Sequence, residues 1–150
     1  MTRPGGVWFA VQGAIAVGLV VAPMVSHARI RLALLVPGCA LFGCGLVGLI
    51  ASYRALGGSH SPWTRPIDGA QLVTTGPYRF VRHPVYACYT LIGLGLEVAA
   101  GSLLGVAVVL GAFTYYDLRT REEEKWLGAA YADFDAYRRR VRGRLIPALY

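Results

Sequence analysis

Two stretches of this 150-residue chain carry residue types able to bind and orient a charged ligand. The first runs from Gln71 to Tyr86, QLVTTGPYRFVRHPVY. Pro84 suits the first turn of a helix, where a missing N–H costs nothing, and it pushes His83 out of the α region. Arg82 and His83 then sit on an extended lip before a helix N-terminus, whose unpaired N–H groups and partial positive charge favour anions such as a carboxylate or phosphate. The other role open to the pair is to anchor a membrane helix at the lipid headgroups. The second stretch is Asp117 to Leu127, DLRTREEEKWL. Arg119 and Glu123 stand four apart there, on one helical face.

The elements that must hold these residues are membrane helices. The chain is 55% hydrophobic with a mean hydropathy of +0.48, and its apolar residues come in long runs. Val7 to Val25 is uncharged and long enough to span a bilayer. Its Ala10, Ala14 and Gly18 form a small-residue stripe for helix packing. A rival reading takes Ser26-His27-Ala28 as a cleavage site after a signal peptide. Leu32 to Tyr53 is the second span, with a second stripe at Ala40, Cys44 and Gly48. Arg54 to Arg82 is the main polar loop, broken by Gly57, Gly58, Ser59, Pro62 and Pro66, with Trp63 suited to an interface. Pro84 to Tyr116 is too long for one straight span, so Gly101-Ser102 is expected to turn it into a hairpin of two short helices. Glu97, four residues before that turn, is expected at the membrane interface. Gly93-Leu94-Gly95 lacks the third glycine and the preceding strand of a dinucleotide fingerprint. Gly101 and Gly105 fit helix packing instead.

The expected fold is therefore all-α: a polytopic membrane helical bundle of about four transmembrane helices with C-terminal cytoplasmic amphipathic helices. It forms one integral membrane domain, with spans and loop in residues 1–65 and a cofactor-binding core in 66–150. Of fifteen Lys and Arg, all but Arg29 and Arg31 fall on one side if the helices alternate. The positive-inside rule then places both termini and the polar loop in the cytoplasm. Tyr131, Phe134 and Tyr137 recur every three residues among charges, the pattern of an amphipathic helix on the membrane surface. The net charge of +7 reflects cytoplasmic loops facing anionic lipid rather than nucleic acid. Cys39, Cys44 and Cys88 form no CxxC pair, and His27, His60 and His83 are scattered, so no metal site is expected.

Taken together, the motifs are more specific. GPYxxxRHPxY opens one helix, RxxxEE follows at the cytoplasmic end of the next, and YxxxxxYRRRVxxRLIP comes after. This combination, over Gln71 to Tyr150, resembles the isoprenylcysteine carboxyl methyltransferase family and its phospholipid methyltransferase relatives. The resemblance implies S-adenosylmethionine as cofactor, bound from the cytoplasmic face. It implies that Ala70, Gln71, Leu72 and Val73 line the cofactor pocket, that Tyr78 contacts the cofactor, and that His83, Pro84, Val85 and Tyr86 form the His-Pro-x-Tyr cofactor segment. It places Glu123 at the acidic cofactor position and Arg119 at the arginine facing the acceptor. The implied partner is a lipophilic or lipidated substrate entering from the bilayer, with membrane lipids around it. The implied reaction moves a methyl group to that acceptor, a carboxylate in the isoprenylcysteine case. Two alternatives stay open: a membrane reductase using NADPH, since sterol reductases share a similar Arg-His-Pro pattern, and a non-catalytic membrane protein keeping the fold.

Overall fold

The structure, a computed structural model, describes residues 6–29, 31–59, 69 and 71–147. Arg3, His60, Pro62, Trp63, Pro66 and Ala70 lie outside the described residues. Among the described residues five α-helices follow in order: α1 (Gly6–Val25), α2 (Leu32–Leu56), α3 (Pro84–Ala100), α4 (Leu103–Ala130) and α5 (Phe134–Arg140). Short 3-10 turns occupy Gly57–Ser59 and Gly76–Arg79. Helices α1 and α2 are long and apolar enough to cross a membrane, and α3 is a shorter apolar helix. The expected helix start at Pro84 and the expected break at Gly101-Ser102 both stand in the structure. α2 runs one turn past the expected end at Tyr53.

The chain forms two compact units. Met1–Leu46 and Cys88–Tyr115 make the first, and Val47–Ala87 and Tyr116–Tyr150 the second. In the first unit, α2 and α3 approach through glycines. A Cβ on Gly38 would meet the Ala99 nitrogen at 2.5 Å, and one on Gly95 would meet the Phe42 nitrogen at 2.5 Å. The contact therefore runs through Gly38 and Gly95, not through Ala40, Cys44 and Gly48, of which Ala40 and Cys44 are exposed. On α1 only Gly18 of the expected stripe packs, against Val108. The sequence contains two interleaved small-residue rows, and backbone approach selects the one in which both helices offer a glycine.

Gly101 closes the hairpin with φ +71, where a side chain would be strained and would press on the Arg29 carbonyl. Ser102 caps α4: its hydroxyl accepts the Gly105 N–H at 2.9 Å. Glu97 is buried, 1% exposed, against Gly105.

The second unit is built around aromatic packing. Phe134, Tyr137 and Val141 are buried together, with Leu72, Leu127 and Tyr131 against them. The period of three in the tail thus reports a helix packed on protein. Its aromatic face is covered by the chain's own residues, which corrects the expectation of a helix lying on lipid. The Tyr137 hydroxyl donates to the Tyr78 carbonyl at 2.7 Å. Burial pushes its phenol up to about 12.

Candidate functional site

The site lies within the second unit. It takes shape where the lip before α3, the charged end of α4 and the segment after α5 converge. Backbone bonds set the lip: the Arg82 N–H donates to the Gly143 carbonyl and the His83 N–H to the Arg144 carbonyl, each at 3.0 Å. This two-rung pairing is possible because Pro84 keeps His83 extended. The Arg82 side chain fastens the same segment, with Nη1 donating to the carbonyls of Val141 at 2.6 Å and Arg142 at 2.7 Å.

Its Nε donates to Glu124 Oε1 at 2.8 Å, and His83 Nε2 lies 3.1 Å from the same oxygen. Arg144 Nε approaches it at 3.4 Å, while Arg144 Nη1 donates to Asp117 Oδ1 at 2.9 Å. Arg121 donates to Asp117 Oδ2 at 2.9 Å. Two carboxylates are therefore shared among three guanidiniums and an imidazole. Arg82, His83, Asp117 and Glu124 are each under 9% exposed. Burial works to raise the Glu124 carboxyl, but hydrogen bonds from His83 and Arg82, with their charges, overcome it and hold the group at about 2.

One helical step away the chemistry differs. Neighbours on a helix point about 100° apart, so Glu123 and Glu124 serve different partners. Glu123 Oε2 accepts the Tyr86 hydroxyl at 3.1 Å. The Tyr86 ring stacks on Tyr116, with centroids 5.2 Å apart and planes at 26°. The Arg119 guanidinium lies 5.6 Å from the Tyr86 ring centre, a cation–π distance. Arg119 is only 4% exposed. Glu124 is neutralised by internal cations gathered on its Oε1, whereas Glu123 is half-buried and keeps acceptor capacity for a ligand. A carboxylate and a guanidinium on successive turns can hold the two charges of a zwitterion, or a cationic and an anionic ligand side by side.

A family profile described as phospholipid methyltransferase matches residues 33–133. The chain belongs to the phospholipid methyltransferase family. With α1 and α2 long enough to span a bilayer, this phospholipid methyltransferase family member is a membrane protein. It is similar to the cobalt-zinc-cadmium resistance protein CzcN of Cupriavidus metallidurans, 43% identical over 71 residues, which cover 47% of this chain and 33% of that protein. It is also similar to the nickel-cobalt-cadmium resistance protein NccN of Alcaligenes xylosoxydans xylosoxydans, 38% identical over 72 residues, covering 47% of this chain and 34% of that protein. The aligned stretches thus span about a third of each relative's length. Among the described residues, no three His, Cys, Asp or Glu gather into a metal-holding group.

Of the expected site residues in this phospholipid methyltransferase family member, His83, Tyr86, Arg119 and Glu123 share the second unit with direct contacts among them or through Glu124. Pro84 is buried and Val85 half-buried beside them. Tyr78 is buried, and its carbonyl is taken by Tyr137. Leu72 packs into the α5 cluster, Val73 is half-buried and Gln71 is exposed. Sequence reasoning took Arg82 as half of an anion-binding lip rather than as the partner of an internal carboxylate, and it passed over Tyr116, Asp117, Glu124 and Arg144 as site residues. The available signal was charge balance: a buried Arg-His pair requires a carboxylate, and the run Glu122-Glu123-Glu124 offers more than one.

Proposed function

We propose that the protein is a membrane methyltransferase that uses S-adenosylmethionine to methylate a lipophilic acceptor at a carboxylate. The observation that carries this reading is the division of labour on α4: Glu124 is neutralised within the protein, while Glu123 and Arg119 are held by Tyr86 beside it. When bound, S-adenosylmethionine supplies a methyl group already activated on a sulfonium. Its ammonium and ribose hydroxyls are donors, which suits the acceptor capacity of Glu123. Its carboxylate is an anion, which suits the start of α3 beside His83. Arg119 holds the acceptor carboxylate as a charge-assisted hydrogen-bonded anion, ready for attack in line with the methyl group. The acceptor arrives ionised, so no proton has to be removed and His83 acts in binding rather than as a base. Alignment of the two reactants, worth up to about 7–11 kcal/mol in favourable cases, is the main catalytic term. The basic residues flanking the site support a cytoplasmic face under the positive-inside rule; on this reading the acceptor enters from the bilayer and the cofactor from water.

The test is thermal stabilisation of the detergent-purified protein by separate ligands. S-adenosylmethionine and S-adenosylhomocysteine, at roughly 100 times their dissociation constants, are expected to stabilise by about 2.7 kcal/mol. Stabilisation by NADPH alone would replace the reading with a reductase, and no response to any of them would remove enzymatic methyl transfer.

A further inference from the structure

Glu97 lies in the last turn of α3, 1% exposed, and neither of its carboxyl oxygens makes a well-aligned hydrogen bond among the described residues. They rest on Gly105, the only residue type that leaves room for them there. The nearby hydroxyls are already engaged. Ser26 Oγ donates to the Ala22 carbonyl at 2.7 Å and meets Ser102 Oγ at 3.3 Å. Ser102 Oγ accepts the Gly105 N–H at 2.9 Å. With the Ser26 hydrogen on Ala22, the single Ser102 hydrogen is the one hydroxyl donor left, shared between Ser26 and the Glu97 carboxyl group, and it brings no charge.

The charges around it offer no substitute. In the first unit α1, α2 up to Leu46 and α4 up to Tyr115 carry no Asp, Glu, Lys or Arg; their titratable groups are Cys39, Cys44 and Tyr115. The connection from Ser26 to Arg31 brings His27, Arg29 and Arg31, all exposed and none paired with Glu97. A carboxylate with one shared hydroxyl donor and no counter-ion in such surroundings is costly, whereas the neutral acid is tolerated.

We propose that Glu97 is a proton-binding site: with the proton bound, α3 and α4 close on each other at Gly105, and with the proton lost, the turn at Gly101-Ser102 opens to let water reach the carboxylate. The site is separate from the methyl-transfer reading and stands or falls without it.

The experiment compares the full chain with Glu97→Gln, a neutral isostere, in nanodiscs of zwitterionic lipid, following the thermal midpoint from about pH 6 to about pH 9. The folded protein binds a proton that the unfolded chain releases, so wild-type stability falls as pH rises. The wild-type midpoint is expected to drop relative to the variant by at least about 3 °C. Parallel profiles would overturn the proposal. So would a wild-type midpoint that shifts when sodium is replaced by choline while the variant's does not, because a metal cation would then occupy the site. Should the variant fail to fold, dicyclohexylcarbodiimide, which adds the O–H of a carboxylic acid across its C=N bond, decides the question on the wild type. An adduct on Glu97 near neutral pH that fades at high pH supports the proposal, and its absence overturns it.

Discussion

Glu124 and Glu97 are both buried acids, and the protein treats them in opposite ways. Glu124 sits among Arg82, His83 and Arg144 and stays ionised at all but acidic pH. Glu97 rests on a glycine with no charged donor beside it among the described residues. Burial alone therefore does not decide the state of a carboxyl group; the donors supplied by the surrounding chain do. The first unit is held by glycine-mediated backbone approach, in which a charge finds no counter-charge among the described residues. The second is held by polar cross-links between distant stretches of sequence, in which a charge is a structural component.

The largest effect is expected from breaking the Glu124 cage. Arg82→Ala removes a cation from Glu124 and the donor to the Val141 and Arg142 carbonyls. Loss of one partner from a buried pair typically costs about 3–5 kcal/mol, read as a lowered thermal midpoint together with proteolysis of the segment after α5. Glu97→Gln near neutral pH is expected to leave stability almost unchanged, and an equal loss for the two variants would erase the contrast. Next comes Arg119→Ala, expected to lower turnover by about 10- to 100-fold, the range for losing a charged hydrogen bond, while ligand-induced stabilisation by S-adenosylhomocysteine persists. Full turnover in that variant would remove Arg119 from the reaction.

Acid titration sharpens the comparison from the other side. The Glu124 carboxyl is depressed in the folded protein, so its stabilising contribution is complete above the ordinary carboxyl range and is lost as pH falls toward about 2. A Glu124→Gln variant is expected to have a flatter acid limb in equilibrium unfolding than wild type; an unchanged limb would mean that the cage does not stabilise the fold. A smaller effect belongs to Tyr86→Phe, which deletes one hydrogen bond to Glu123. It is expected to weaken cofactor affinity by about fivefold, equivalent to about 1 kcal/mol, with the fold intact by circular dichroism. Smallest is Lys125→Ala. Its pair with Glu122 is exposed on both sides, and a change beyond about 1 kcal/mol in unfolding would contradict the view that only the caged charges matter.

Much of this architecture was readable in advance because it is written locally. Pro84 starts a helix and Gly101-Ser102 ends one through their own backbone preferences, whatever surrounds them. The placement of Arg119 and Glu123 on one face also follows from helical spacing. What sequence reading missed depends on partners far along the chain. The choice between two rows of small residues on α2 is made by Gly95 on α3. The aromatic face of α5 looked suited to lipid because Leu72 and Val141, which cover it, lie outside the repeating pattern. Glu124 and Glu123 look alike in a run of three acids, and only the positions of Arg82 and Tyr86 tell them apart.

The carbonyls that take up the Arg82 guanidinium belong to residues 59 and 60 positions further along the chain. At about 5–20 residues per second, the ribosome delivers them roughly 3–12 s after Arg82 itself has been made. During that interval the guanidinium must be served by water or lipid phosphate, and the lip before α3 has no second edge to pair with. The nascent protein thus passes through a stage in which its apolar helices exist but its charge cage does not. Assembly of the cage therefore waits for the segment after α5.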